Sequence, residues 1–92
     1  MIKRLKGRGL KRLHATGDRS GIGADLVETV GWILTLLDSA ASPADVNLPY
    51  LRLHALKGDL QGYWAVTVRA NWRIIFRFEG TDVVDVELVD YH

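Results

Sequence analysis

His54, Lys57, Arg73 and the closing triplet Asp90-Tyr91-His92 are the side chains of this sequence best suited to act together on a substrate. They comprise two imidazoles, an ammonium, a guanidinium, a carboxylate and a phenol. The chain has no cysteine, no serine is marked as a nucleophile, and no metal-ligand spacing such as His-x-x-x-His occurs. This set suits cleavage of a phosphodiester without a metal or cofactor. A base takes the proton of a ribose 2′-hydroxyl, an acid protonates the leaving 5′-oxygen, and cations offset the charge that gathers on the phosphate. Each residue also has an ordinary reading. A strand histidine, a lysine before glycine and arginines on a sheet face are common surface residues. Arg73 and Arg77 are equally able to pair with Asp85 or Glu87. The Asp-Tyr-His end is harder to set aside, because frayed termini rarely need such residues. Trp64 and Trp72 read as core.

The elements that must position these groups follow from periodicity. Residues 2–6 read as a short strand, interrupted by Gly7 and Gly9. Residues 9–16 read as a helix with Leu10 and Leu13 on one side, Lys11 and Arg12 on the other, and Gly17 as its stop. Residues 18–23 form a loop whose Gly-x-Gly follows no convincing strand, which excludes a phosphate loop. Asp25 and Glu28 form a capping-box-like start to a second helix. Its apolar stripe is Leu26, Val30, Ile33, Leu34 and Leu37, and Trp32 and Leu36 widen that stripe. Such a helix is either covered on two sides or meets a partner. Ser42-Pro43 starts a short helical turn. From Tyr50 the period becomes two. Leu51, Leu53 and Ala55 alternate with Arg52, His54 and Leu56. Strands at 63–68, 72–79 and 83–89 follow, separated by short turns, which gives an antiparallel meander. The fold class is therefore a two-layer α/β (α+β) domain spanning residues 1–92. A short N-terminal strand and two helices pack on an antiparallel sheet whose other face stays open and carries His54, Arg73 and Arg77.

A chain of 92 residues fits one small domain. Without cysteine it has no disulfide, and a reducing compartment is compatible. Nothing resembles a secretory signal. The longest apolar run, residues 30–37, is too short to cross a bilayer, so a soluble, cytoplasmic protein is expected. Net charge is only +1 but unevenly spread. Lys3, Arg4, Lys6, Arg8, Lys11 and Arg12 crowd the N-terminal end, while residues 81–92 hold Asp82, Asp85, Glu87 and Asp90 with no Lys or Arg. The basic end suits phosphates; the alternative is a solvated face beside an acidic edge strand.

Taken in order, the motifs resemble the HigB (host inhibition of growth, plasmid maintenance killer) branch of the RelE toxin superfamily. The resemblance spans nearly the whole chain: Gly9-Leu10-Lys11, Ser20-Gly21-Ile22, Leu37-Asp38, Ser42-Pro43 and Asn47-Leu48-Pro49. It is densest at Leu53-His54, Leu56-Lys57-Gly58-Asp59, Gly62-Tyr63-Trp64, Asn71-Trp72-Arg73 and Asp90-Tyr91-His92. The resemblance implies a RelE-like microbial RNase toxin fold and a ribosome-dependent endoribonuclease that cuts mRNA in the A site, by attack of the 2′-hydroxyl on the adjacent phosphate. It implies no metal and no cofactor. Carried over by position, His54 and His92 serve proton transfer and orientation. Lys57 and Arg73 bind the scissile phosphate, Tyr91 stacks on or orients a base, and Asp90 positions a histidine or the nucleotide. Which histidine is base stays open. Arg8, Lys11 and Arg12 would meet ribosomal RNA, with Arg69 and Arg77 on the presumed RNA face. A HigA-like helix-turn-helix antitoxin is the expected partner, gripping the toxin away from its site, with the helix bearing Trp32 and Leu36 as a candidate contact. Operator DNA is bound only through that antitoxin, and no membrane is involved. Two departures stand out: Val89 replaces an acid that often precedes the terminal triplet, and Arg69-Ala70 stands where Asn-Gly is frequent. The competing readings are a ParE-like toxin that binds DNA gyrase and cuts nothing, and a degenerate toxin kept as an antitoxin sink. The set Lys57, Arg73 and Asp90-Tyr91-His92 argues against both.

Overall fold

The computed structural model describes residues 1–90; Tyr91 and His92 lie outside the described residues. Two helices, α1 (Arg8–Thr16) and α2 (Val27–Ser39), precede a sheet of four strands: β1 (His54–Ala55), β2 (Trp64–Arg69), β3 (Trp72–Glu79) and β4 (Asp82–Asp90). The strands lie in chain order and pair antiparallel. Short 3-10 turns at Pro43–Val46, Pro49–Leu51 and Gly58–Leu60 fill the connection between the layers.

α1 ends at Gly17, whose left-handed backbone (φ 78°) lets its N–H reach the Leu13 carbonyl at 3.0 Å. The apolar stripe of α2 lies where the periodicity puts it. Leu26, Val30, Ile33, Leu34 and Leu37 are buried against Val66, Ile74, Phe76, Val83 and Val86 of the sheet. Each such side chain removed from water stabilises the fold by about 1.5–3 kcal/mol. The start of α2 differs from expectation. Asp25 makes no capping bond, and the helix begins two residues later behind Leu26. The reason is local: the Gly23 carbonyl already accepts from Leu26 N–H (2.9 Å) and Val27 N–H (3.0 Å), so a preceding backbone turn takes the place of a side-chain cap. The capping box forms instead at Ser42 and Asp45, before Pro43–Val46.

Residues 2–6 contribute two isolated parallel bridges, Ile2 to Val83 and Leu5 to Val86, along the outer edge of β4. A register shift between Ile75 and Arg77, with Asp85 at φ 54°, breaks the β3–β4 ladder and keeps the terminal segment from forming a longer strand. The alternation predicted from Tyr50 is also shortened. Pro49–Leu51 is a 3-10 turn and Arg52 takes a left-handed backbone (φ 51°), which leaves only two paired residues in β1. The outer sheet face is not open along its length. Leu56, Leu60 and Tyr63 fold over it and pack on Ala65, Ile75 and Val89 as a second, smaller core.

Candidate active site

That second core is the floor on which the candidate groups stand. Paired strand residues share a face, so the registers His54–Ala65, Ala65–Ile75, Thr67–Arg73 and Arg73–Val89 put His54 and Arg73 on the outer face, with Ala65 and Ile75 between them. Two strand spacings across and two residues along give roughly 12 Å between their Cα atoms. Side chains of that length can converge on one phosphate from opposite sides.

His54 is exposed, and its Nδ1 lies 3.0 Å from the Arg52 carbonyl. A carbonyl only accepts, so Nδ1 carries the proton. In the neutral ring, Nε2 is then the atom with the free lone pair. The left-handed Arg52 backbone is what turns that carbonyl toward the ring. Sequence reasoning had no signal for it, because a non-glycine residue at positive φ leaves no compositional mark.

Lys57 is exposed, in extended conformation, directly before the Gly58–Leu60 turn. Gly58 (φ 67°) permits that turn, and Leu56, bonded through its N–H to the Tyr63 carbonyl at 2.9 Å, pins the strand end beneath the lysine. His54 and Lys57 thus lie on one margin of the small core.

Arg73 occupies the opposite margin. Its Nη1 donates to the Ala70 carbonyl at 2.6 Å and the Trp72 carbonyl at 3.1 Å. Among the described residues the guanidinium is therefore held by backbone oxygens of the hairpin rather than by a carboxylate. Ala70, at φ 51°, supplies one of those carbonyls.

Arg77 is placed differently. Its Nε donates to Asp85 Oδ2 at 2.8 Å and its Nη2 is 3.6 Å from Glu79. Arg4 binds the same two carboxylates, with Nε 3.1 Å from Asp85 and Nη2 3.0 Å from Glu79. The hydrogen bond to Asp85 raises the Arg77 pKa above its ordinary value. Asp85 is held below the ordinary carboxylate value, by Arg4 first and then Arg77, against the opposing effect of burial. Two cations facing two anions leave little net field, so Arg77 stands apart from Arg73 electrostatically as well as by four residues of β3. Arg69 is exposed and 4.0 Å from Asp25. Arg8, Lys11 and Arg12 lie exposed on α1, opposite Leu10 and Leu13.

Asp90 ends β4 in register with Trp72, one residue beyond the Val89 that faces Arg73. The last described residue of β4 is thereby brought to the Arg73 margin of the sheet. Tyr91 and His92, the other two expected site residues, lie outside the described residues. No group of three or more His, Asp or Glu side chains arranged to hold a metal occurs among the described residues.

The fold has clear relatives. A YoeB/ParE toxin from Agrobacterium tumefaciens superposes with a TM-score of 0.62, covering 100% of this chain and 99% of that one at 18% identity. YafQ from Escherichia coli BL21(DE3) superposes with a TM-score of 0.62 at 17% identity, covering 95% of this chain and 89% of its own. At those identities the likeness is one of fold, and it defines the class: two helices on an antiparallel sheet, built as in the RelE-family toxins. Sequence narrows the class. The family model for the RelE-like toxin of type II toxin–antitoxin system HigB matches residues 3–92. The Endoribonuclease HigB of Proteus vulgaris is 44% identical over 92 residues, covering 100% of both chains. The chain belongs to the HigB-like toxin family of type II toxin–antitoxin systems.

Proposed function

We propose that this toxin is an endoribonuclease that cuts mRNA in the decoding A site of the ribosome. The observation that carries the reading is the disposition of His54: its proton sits on Nδ1, and the ring shares a sheet face with Arg73 across a small apolar floor. Full-length similarity to an endoribonuclease of the same family supports it.

In this reading His54 is the general base. Its Nε2 takes the proton of the ribose 2′-hydroxyl as the 2′-oxygen forms a bond to the adjacent phosphorus. The bond from phosphorus to the 5′-oxygen breaks, leaving a 2′,3′-cyclic phosphate and a 5′-hydroxyl. The leaving oxygen receives its proton from His92 in this reading. Lys57 and Arg73 stabilise the charge on the phosphate oxygens in the transition state, from the two margins of the floor. Asp90 positions His92 or the nucleotide, and Tyr91 stacks on a base. Arg8, Lys11, Arg12 and Arg69 serve RNA contact. Arg77 serves mainly to hold the sheet through Asp85. The toxin works in the cytoplasm, and an antitoxin of the paired system silences it.

The deciding experiment is primer extension on mRNA loaded on purified ribosomes, with wild type, His54→Ala, His92→Ala and a ribosome-free control. Cuts within the A-site codon that require the ribosome, and fall by about 10²–10⁴-fold in either histidine variant, are expected. Growth arrest without any cut would instead point to a toxin that acts by binding, such as one directed at gyrase.

A further inference from the structure

Trp32 (43% exposed) and Tyr50 (64% exposed) are, with Met1, the exposed large hydrophobic side chains among the described residues. They are not scattered. Their rings are 5.6 Å apart and tilted by 37°, one from α2 and one from the Pro49–Leu51 turn. Between them and β2 opens a groove of about 440 Å³, floored by Leu51 and Val68 and bordered by Glu28 and Thr67. Leu36, the other residue that widens the α2 stripe, is half-buried on the main core and takes no part.

The groove ends on a strand edge that has no strand partner beyond Ala65 among the described residues. β1 covers only Trp64 and Ala65 of β2. The bond from Leu56 N–H to the Tyr63 carbonyl sets which β2 residues point their backbone groups that way: alternate positions 63, 65 and then 67. The N–H and C=O of Thr67 therefore face outward beyond the end of β1, where another chain can pair with them.

Charge selects the occupant. Glu28 is the charged side chain lining the groove. The other charged residue of α2, Asp38, is already bonded to the Ile2 N–H (3.0 Å) and His14 (2.8 Å). A carboxylate at the groove's border disfavours an RNA phosphate there. It suits a protein segment carrying an apolar side chain next to a basic one. Family membership supplies such a protein, since a type II toxin is paired with an antitoxin.

We infer that this groove is the antitoxin's anchor site: an extended antitoxin segment seats an apolar side chain between Trp32 and Tyr50, places a basic residue on Glu28, and pairs with the Thr67 edge. The inference rests on the toxin–antitoxin relationship and is independent of how the toxin acts on RNA.

The test is calorimetric titration of the toxin with its cognate antitoxin, purified from the co-expressed pair and refolded, using wild type, Trp32→Ala, Tyr50→Ala and Glu28→Lys. Tyr50 and Glu28 are exposed, so those two variants report even where Trp32→Ala disturbs packing. At least tenfold weaker binding is expected for Tyr50→Ala and Glu28→Lys, as at hot spots generally, with ribosome-dependent cleavage unchanged in the free toxin. Affinities within twofold of wild type for both would overturn the inference. So would a wild-type toxin that dimerises alone by light scattering and becomes monomeric in Tyr50→Ala while its antitoxin affinity is kept, since the groove would then join two copies of this chain. The titration reads binding without reference to RNA, so its failure leaves the cleavage reading intact, and the converse holds.

Discussion

Arg73 and Arg77 are separated by four positions on one strand and carry the same guanidinium, yet the structure gives them different partners. Arg77 is neutralised by Asp85 and Glu79. Arg73 is steered by two carbonyls, which fix its direction without cancelling its charge. That combination suits phosphate binding in a transition state: a cation already aimed, with no carboxylate bound to it among the described residues. Arg73→Ala should slow ribosome-dependent cleavage by about 10²–10³-fold. Arg73→Lys should recover only part of the rate, because an ammonium lacks the planar fork that bonds carbonyls on one edge and a phosphate on the other. Thermal melting should stay close to wild type in both, and single-turnover rates on loaded ribosomes would read the difference. Equal rates for Arg73→Lys and wild type would mean that only a point charge is needed there. The residue types at 54, 57 and 73 stood out in the sequence as candidates for phosphodiester cleavage, and the fold puts His54 and Arg73 on one sheet face. What separates Arg73 from Arg77 was not, because the bulge that delivers Asp85 to Arg77 depends on a backbone angle rather than on a residue pattern.

At the scale of elements, the approach of α1 to the loop after it rests on two glycines. A Cβ on Gly9 would lie 2.5 Å from the Gly21 carbonyl oxygen, and one on Gly21 would lie 2.7 Å from the Gly9 Cα. Both clashes are with backbone, which cannot swing aside as a side-chain tip does. Gly9→Ala and Gly21→Ala should each destabilise by about 1–3 kcal/mol, as overpacking of a tight contact does, read as a lower urea midpoint at unchanged slope. A Gly17→Ala variant separates this from conformational cost: nothing stands within 4 Å of its Cβ, so its penalty arises from the positive φ alone. The helices and the meander were readable because periods of 3.6 and 2 are written in single residues such as Val30, Ile33, Ile74 and Phe76. Element ends were less so. The first N–H groups of α2 are satisfied by Gly23 rather than by Asp25, and β1 stops at two pairs because Arg52 turns left-handed. Both outcomes depend on competition between backbone and side-chain partners that the sequence pattern does not rank. The second core under His54 and Lys57 was missed for a related reason. Leu56 and Ile75 alternate correctly onto the outer face, and burial comes from a loop that returns over them.

The whole molecule is closed by a network of charges between sequence-distant segments. Arg4, from the N-terminal segment, and Arg77, from β3, share Asp85 and Glu79, so a residue near the start of the chain is tied to the β3–β4 hairpin. The two parallel bridges of the N-terminal segment to β4 run beside the same network. Asp85 is its centre: its side chain is 15% exposed and both its oxygens are engaged. Because the folded carboxyl is held below its ordinary value, the linkage has a definite sign. Above the unfolded value, near pH ~3.9, Asp85 is ionised in both states and its contribution to stability is complete. Between that pH and the lower folded value, the unfolded chain binds the proton and the native one does not, so stability falls as pH falls. Below the folded value the contribution is gone. The arginines remain protonated throughout and add no slope in this range. Urea midpoints should therefore drop for wild type as pH is lowered below about 4. Asp85→Asn should begin lower at pH 7 and drop less steeply over the same interval. Asp18, also held low through its bonds to Ser20, titrates in that window in both proteins and cancels in the comparison. If the two proteins lose stability in parallel below pH 4, Asp85 does not hold the N-terminal segment to the sheet through its charge, and the bridges at Ile2 and Leu5 suffice to close the fold.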